Sequence, residues 1–220
     1  MFTGRISGFE PNLIEHIPLQ LDNDRVFGTP GRKLHRSPFG WRANVGIRGE
    51  ENFMRALIKA GILNNFVSFW SLSMPRASSL TPDLRSKADI DCVLVTDGVI
   101  FLLDLKYYRS GYVDYVGTND GKIWCLSGVT GKPMHKPFTL SNVMSRAYQK
   151  MVLHGKPYKV FSRVVFMPSN NGVPKSVSVI YPGGIPAVPV DFAIYELGQI
   201  PPVNIEQLDM KLVEGLANLC

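Results

Sequence analysis

Four ionisable residues, Asp89, Asp91, Asp104 and Lys106, interrupt two stretches of the sequence that are otherwise apolar. Two carboxylates held close together repel each other, so the chain must offset the repulsion. A divalent cation, a raised pKa on one acid or a neighbouring cation such as Lys106 would do so. Mg²⁺ prefers carboxylate and carbonyl oxygens, and a metal with a lysine beside it can hold and activate a water molecule. The residue types therefore indicate metal-assisted hydrolysis, and the alternative is a solvated strand face.

A β-hairpin is predicted to bring these residues together. The apolar runs 90–95 and 99–106 flank Thr96-Asp97-Gly98, and Asp-Gly favours a two-residue turn. In that register the numbers of opposed residues sum to 195, so Asp91 lies opposite Asp104, and the other two ionisable residues also oppose each other. Alternation along a strand puts all four on one face of the sheet. The opposite face is predicted to enter the core through Ile90, Cys92, Leu94, Phe101, Leu103 and Leu105.

The hydrophobic pattern predicts the elements around this hairpin. Helices are predicted at 49–60, 139–154 and 204–219, and strands at 66–72, 111–117, 122–126, 158–167, 177–181 and 190–195. Residues 1–45 are rich in Gly, Pro and Arg and are predicted to be an irregular extension. The order of elements indicates an α/β or α+β arrangement around a mixed sheet. Three parts follow: the extension 1–45, a core 46–168, and C-terminal strands and a helix, 169–220, packed on the core.

The segment Gly-Thr-Pro-Gly-Arg-Lys at residues 28–33 does not indicate a phosphate-binding P-loop. It lacks the Gly-Lys-Ser/Thr ending, and the pattern predicts no strand before it.

The positive charge of the chain is regional. The formal net charge is +6, yet residues 121–190 contain no Asp or Glu and nine Lys or Arg. A field of this kind favours contact with a polyanion, although drift or solubility could also produce it. No apolar run approaches the roughly 20 residues of a membrane helix. The three cysteines have no CxxC spacing, which disfavours a disulfide scaffold or a structural zinc site and favours a reducing, cytoplasmic location.

Asp91, followed thirteen residues later by Asp104-Leu105-Lys106, resembles the signature of the PD-(D/E)xK nuclease superfamily. The fuller pattern resembles the NERD group (nuclease-related domain) of that superfamily. Its matching pieces are Gly49-Glu50 opening a helix, residues 88–95 and 98–106, residues 111–113, and Trp124. The resemblance covers approximately residues 47–167. It implies a restriction-endonuclease-like core, which is a mixed central β-sheet flanked by helices.

The resemblance also implies roles for individual residues. Asp91 and Asp104 would bind Mg²⁺, for which Mn²⁺ can substitute, together with the backbone carbonyl of Leu105. Glu50 resembles the helix glutamate that completes such sites, and Lys106 would position or activate the attacking water.

A glutamine on the following helix is common in the superfamily, and Gln149 is the candidate here. The implied activity is metal-dependent hydrolysis of phosphodiester bonds in nucleic acid, with DNA favoured. The nucleic-acid-binding residues are predicted to be Lys136, Arg146, Lys150, Lys156, Lys159 and Tyr108.

An alternative function is a catalytically inactive nucleic-acid-binding module of the same fold. The apolar positions of the last predicted helix suit docking on the core or on a second copy in a homodimer, and the sequence leaves both open. It also leaves open a larger parent protein.

Overall fold

The computed structural model of the chain describes residues 25–34, 41–108, 111–154, 157–168 and 172–220, and for residues 41–43 it describes the backbone only. The strands are β1 (Val26–Phe27), β2 (Val67–Ser73), β3 (Asp89–Thr96), β4 (Val99–Lys106), β5 (Gly111–Gly117), β6 (Lys122–Ser127), β7 (Phe138–Thr139), β8 (Lys159–Phe166), β9 (Pro174–Ser178), β10 (Ile180–Tyr181) and β11 (Ile185–Pro189). The helices are α1 (Trp41–Lys59), α2 (Val143–His154), α3 (Val190–Gly198) and α4 (Met210–Ala217).

Seven strands form a mixed central sheet in the order β1-β2-β3-β4-β8-β11-β10. The hairpin β3–β4 lies at its centre, between β2, which is antiparallel to β3, and β8, which is parallel to β4. A smaller sheet has the order β7-β6-β5-β9. The chain leaves the hairpin through this second sheet and α2 before it returns as β8, since parallel neighbours need a long crossover.

Helices cover both faces of the central sheet. On one face α1 and α3 pack through side chains such as Phe53 and Leu197 against Trp70 and Leu94 of the strands. On the other face lie α2, α4 and the second sheet. Strands buried on both faces read as continuous apolar runs, which explains the sequence of the hairpin. The predicted mixed sheet flanked by helices is confirmed. None of the helices in the described ranges has both the length and the apolar character needed to cross a membrane.

The predicted register of the hairpin is confirmed along its apolar part. Paired residues from Cys92 with Leu103 to Thr96 with Val99 all sum to 195. Cys92, Leu94, Phe101 and Leu103 face the α1 side as predicted, and Leu105 packs partly against that side.

The prediction for Ile90 is wrong, because its side chain joins the core on the opposite face. The alternation breaks at Asp91, which has no partner in the ladder with β2 or in that with β4. The predicted pairs Asp91–Asp104 and Asp89–Lys106 are therefore not formed, because the β3–β4 ladder ends at Cys92 and Leu103.

Helix α1 begins at Trp41, eight residues earlier than predicted, so the end of the predicted irregular extension is helical. Residues 1–24 and 35–40 of that extension lie outside the described residues. The helix ends next to Gly61, whose positive φ of 70° suits a helix terminus. As a result, Glu50 lies in the middle of α1 and not at its opening.

Other differences concern short segments. Residues 190–195, predicted as a strand, belong to helix α3. An apolar run of this length does not by itself distinguish a strand from a buried helix. In addition, the short strand β1 directly precedes residues 28–33, where the sequence predicts none.

Candidate active site

Four carboxylates and one lysine gather where the hairpin ladder ends, and we call this group the acidic cluster. Strand β3 contributes Asp89 and Asp91, strand β4 contributes Asp104 and Lys106, and helix α1 contributes Glu50. Glu50 and Asp104 are buried, and the other three are partly buried. The structure therefore brings together the four ionisable residues of the predicted hairpin and Glu50 of the first predicted helix.

Asp91 lies just beyond the last paired residue of β3, where β3 and β4 no longer form ladder hydrogen bonds. Its Oδ2 accepts a hydrogen bond of 2.6 Å from the backbone N–H of Leu105, the residue after Asp104. Burial raises the pKa of Asp91 well above its ordinary range, and the charges of Asp104 and Glu50 raise it further. These contacts show that Asp91 and Asp104 lie close enough to repel each other when both are ionised.

Lys106 forms an ion pair with Asp104, with 2.7 Å between Nζ and Oδ1. Burial by itself lowers the pKa of Lys106, but the carboxylates of Asp104 and Asp91 more than offset this, so the pKa lies above its usual value. The ammonium group of Lys106 therefore stays charged at every physiological pH. It supplies a fixed positive charge and hydrogen-bond donors beside the two aspartates.

Glu50 is only 3% exposed. Its Oε2 accepts hydrogen bonds from the backbone N–H of Gly31 at 2.7 Å and from Ser71 Oγ at 3.2 Å. Burial raises the pKa of Glu50 to about 7, with further increases from Asp89 and Asp104. Near neutral pH this carboxyl group therefore exists in both its protonated and its ionised form.

Ser71 explains how Glu50 reaches the sheet. Its φ of 52° lies in the left-handed region, which costs a non-glycine residue about 1–2 kcal/mol. Ser71 occupies the β2 position opposite Asp91, where the ladder lacks a pair. The altered backbone aims Ser71 Oγ at both Glu50 and the carbonyl oxygen of Thr29, which is 3.0 Å away. The sequence carries no signal for this conformation.

Tyr108, predicted to line the cleft, lies two residues after Lys106 and is partly buried. Its ring packs against Phe138 and Phe166, with centroid distances of 5.0 and 5.1 Å. Its hydroxyl lies 3.5 Å from the hydroxyl of Tyr181, a residue that the sequence analysis did not single out. Burial raises the pKa of both tyrosines, so both are neutral near the cluster.

Gln149 lies on helix α2. Helix α2 buries Met144, Ala147 and Met151 against the sheet, and Gln149 is exposed on its outer side. Lys150, on the same helix, donates a 2.6 Å hydrogen bond to the carbonyl oxygen of Pro75 and lies 3.6 Å from Asp83. Its charge thus anchors the loop after β2.

The other predicted nucleic-acid-binding residues lie at different distances from the cluster. Lys136 and Arg146 are exposed, and Lys136 is two residues from Phe138, whose ring contacts Tyr108. Lys159 pairs with Val99 at the turn end of the hairpin, seven residues before the level of Lys106, or roughly 23 Å away along the strand. Lys156 lies outside the described residues.

The donor chemistry of the acidic cluster fits a hard divalent cation, because the ligands on offer are crowded carboxylate oxygens with raised pKa values. Within the described residues, however, no three Asp, Glu, His or Cys side chains converge in an arrangement that could hold a metal ion. Of the carboxylates in the cluster, the pair Asp91 and Asp104 therefore fits a divalent cation. Mg²⁺ commonly uses one or two carboxylates and completes its shell with water and substrate phosphate.

Comparison with known families gives one result. Residues 45–167, more than half of the chain, match the family model of the NERD nuclease-related domain. The chain shows no significant match to a curated protein or to a solved structure. The matched range contains all five residues of the acidic cluster, and the mixed sheet flanked by helices is consistent with a nuclease-like core. The chain belongs to the NERD (nuclease-related domain) family.

Proposed function

We propose that this protein is a metal-dependent nuclease that hydrolyses phosphodiester bonds of nucleic acid, with DNA favoured as substrate. The observation that carries the proposal is the convergence of Asp91, which accepts the N–H of Leu105, with Asp104, which contacts Lys106, inside a nuclease-related domain. Asp91, Asp104 and the carbonyl oxygen of Leu105 would hold Mg²⁺, with Glu50 beside them. Bound there, the cation supplies charge neutralisation for the scissile phosphate and a more acidic water.

Lys106 supports this chemistry as a charged donor. Because its pKa lies above the usual value, it does not act as a general base at neutral pH. Its N–H groups instead orient the attacking water and stabilise negative charge that develops on the phosphate oxygens. The ion pair with Asp104 fixes the direction of the ammonium group before substrate arrives.

The stretch without acidic residues supports nucleic acid as the substrate. Exposed Lys136 and Arg146 belong to this stretch, and contacts from such residues to phosphates give affinity that falls steeply with salt. These contacts position the strand without reading its sequence.

Cleavage of supercoiled plasmid and of a labelled single strand, each with Mg²⁺, with Mn²⁺ and with EDTA, tests the proposal. We expect cutting with either metal and none with EDTA, and Asp104→Ala should abolish it. A matched control is Asp97→Asn at the turn end of the same hairpin, which should cut at the wild-type rate. Cutting by Asp104→Ala at the wild-type rate would refute the site assignment.

A second readout separates metal binding from catalysis. Mg²⁺ should raise the melting temperature of the wild type and not that of Asp91→Asn, because a cation bound to the folded state stabilises it. Salt-sensitive binding of nucleic acid without cutting under any metal would instead favour the alternative, an inactive binding module of the same fold.

A further inference from the structure

The turn formed by residues 29–34 reaches the acidic cluster from outside the family-matched range. Gly31 donates its backbone N–H to Glu50 at 2.7 Å, and the carbonyl oxygen of Thr29 accepts a hydrogen bond from Ser71 Oγ at 3.0 Å. Both contacts are with residues that shape the cluster. The domain that the family model covers therefore depends on this preceding turn for part of its site.

The turn is held firmly against the core. Just before it, β1 pairs with β2, and the ring of Phe27 stacks on Phe69 with 5.1 Å between centroids. Within the turn, the backbone N–H of Arg32 donates to the carbonyl oxygen of Thr29, and the backbone N–H of Leu34 donates to that of Gly31. The backbone of this turn, from which its side chains project, is thus held in a fixed position relative to the sheet.

Lys33 is that side chain, and it enters the polar surface beside the cluster. Its Nζ donates a 2.9 Å hydrogen bond to Ser73 Oγ, and Ser73 pairs with Asp89 across the β2–β3 ladder. Burial lowers the pKa of Lys33, and Asp89 is the carboxylate that opposes this most strongly. An ammonium group has three donors, so within the described residues the Ser73 contact leaves donors for a ligand. Arg32 beside it is exposed.

Lys33 and Lys106 reach the acidic cluster from the β2 side and the β4 side respectively, and the charges of both act on Asp89. Ser73 is on β2, Asp89 is on β3, and Lys106 is on β4, where the β3–β4 ladder has already ended. Two strand spacings, roughly 10 Å, separate Ser73 on β2, which holds Lys33 Nζ, from the backbone of Lys106 on β4. A polynucleotide strand carries its phosphates in series, so it can place one phosphate near each ammonium group.

We propose that Lys33 is a second phosphate-binding residue, which holds a backbone phosphate next to the one that is cleaved. This inference rests on the proposed nuclease function and narrows its substrate to a strand with at least two consecutive phosphates. Lys33 contacts the strand away from the reacting atoms, so it contributes to substrate binding and not to the chemical step.

The test compares Lys33→Met, which keeps the aliphatic stem, with Lys33→Arg and with Lys211→Met on the surface of α4. Binding of a short labelled single strand is measured in EDTA over a range of NaCl concentrations, where no cleavage occurs. One phosphate contact contributes about 0.7 to the slope of log K against log salt for a single strand. We expect Lys33→Met to lose about that amount, and Lys33→Arg and Lys211→Met to keep the wild-type slope.

Kinetics with Mg²⁺ provide the second measurement. For the labelled strand, Lys33→Met should raise KM several-fold and leave kcat within about twofold of the wild type. For bis(p-nitrophenyl) phosphate, which has a single phosphate, kcat/KM should not change.

An unchanged salt slope, or an equal loss on both substrates, would overturn the role of Lys33. A reduced salt slope for Lys33→Met, in a protein that does not cleave nucleic acid, would support phosphate binding by Lys33 and refute the nuclease proposal. A wild type that does not bind the strand would refute both.

Discussion

The two ends of the β3–β4 hairpin follow different rules. From Cys92–Leu103 to Thr96–Val99 every residue pairs in one register, and all the side chains on β3 in this part are buried. Beyond Cys92–Leu103 the ladder stops, and a carboxylate oxygen of Asp91 takes the N–H of Leu105. The same two strands thus form a regular core at one end and a crowded acidic site at the other.

The difference shows how the chain holds like charges together. Repulsion at the acidic end is opposed by the apolar end, where burial of both faces fixes the strands. Under the proposed function, the acidic end supplies the catalytic groups at a cost in stability, and the apolar end supplies stability. Substitutions at the two ends should therefore separate activity from stability.

The largest expected effect is on activity at the acidic end. Lys106→Met removes the only ammonium group that contacts Asp104 in the described residues. Removing one such charged donor typically costs a factor of 10² to 10³ in rate, so we expect a loss of about 100-fold or more in kcat. Lys59→Met, at the exposed end of α1, is the matched control. A rate within threefold of the wild type for Lys106→Met would contradict the role.

The next effect is on stability at the apolar end. Ile100 is fully buried and pairs with Val95 and Val160. Ile100→Ala should lower the free energy of unfolding by about 2–5 kcal/mol, because it removes buried methyl groups and leaves a cavity. Urea unfolding measures this loss. Cleavage by the protein that remains folded should stay within a few-fold of the wild type, and a rate loss as large as that of Lys106→Met would erase the contrast between the two ends.

A smaller effect links stability to pH through Glu50. Its pKa rises from 4.5 in the unfolded chain to about 7 in the folded protein, so the folded state binds this proton more tightly. The contribution to stability is full below pH 4.5 and is lost as the pH rises through 7. At 1.36 kcal/mol per pKa unit, the loss reaches up to about 3 kcal/mol at pH 8.

Glu50→Gln removes this titration and keeps an oxygen for Gly31 and Ser71. We expect the variant to be more stable than the wild type at pH 8, with the gain shrinking towards pH 5, as followed by urea midpoints. Glu51→Gln, which removes the charge that pairs with Arg55 one turn further along α1, is the control and should show no such pH dependence. A gain that is equal at both pH values would contradict the raised pKa.

The smallest effect concerns binding of nucleic acid. Lys136 lies near the ring of Phe138 and thus on the Tyr108 side of the cluster, whereas Lys159 is at the turn end. Lys136→Ala should reduce the salt slope of binding by about 0.7–0.9, the contribution of one phosphate contact. Lys159→Ala should change it less. The reverse order would show that the strand runs along the turn end of the sheet.

The hairpin was the most predictable part of the molecule, because a short turn transmits its register to every residue of two strands. Gly98, with φ of 73°, fixes that turn. From Asp97-Gly98 alone it follows that Asp91 and Asp104 approach each other. The prediction of the opposing face failed only at Ile90, where Asp91 leaves the ladder.

Long-range contacts were not predictable in the same way. Lys33 and Gly31 reach the cluster because β1 docks on β2, and a two-residue strand has almost no signature in sequence. The left-handed Ser71 follows from contacts with Glu50 and Thr29 that involve distant parts of the chain. Residues 190–195 were wrongly predicted as a strand because their apolar side chains suit a buried helix as well as a strand.

Gly31 has no side chain, yet the acid–base behaviour of the site depends on it. A Cβ at this position would lie 2.8–2.9 Å from three atoms of Ile47, including its Cα, and the backbone φ is 72°. Any other residue would push the turn away from α1 and take the N–H from Glu50, a bond that lowers the pKa of that acid. The pH range over which the cluster carries its full negative charge is therefore set partly by a residue that never titrates.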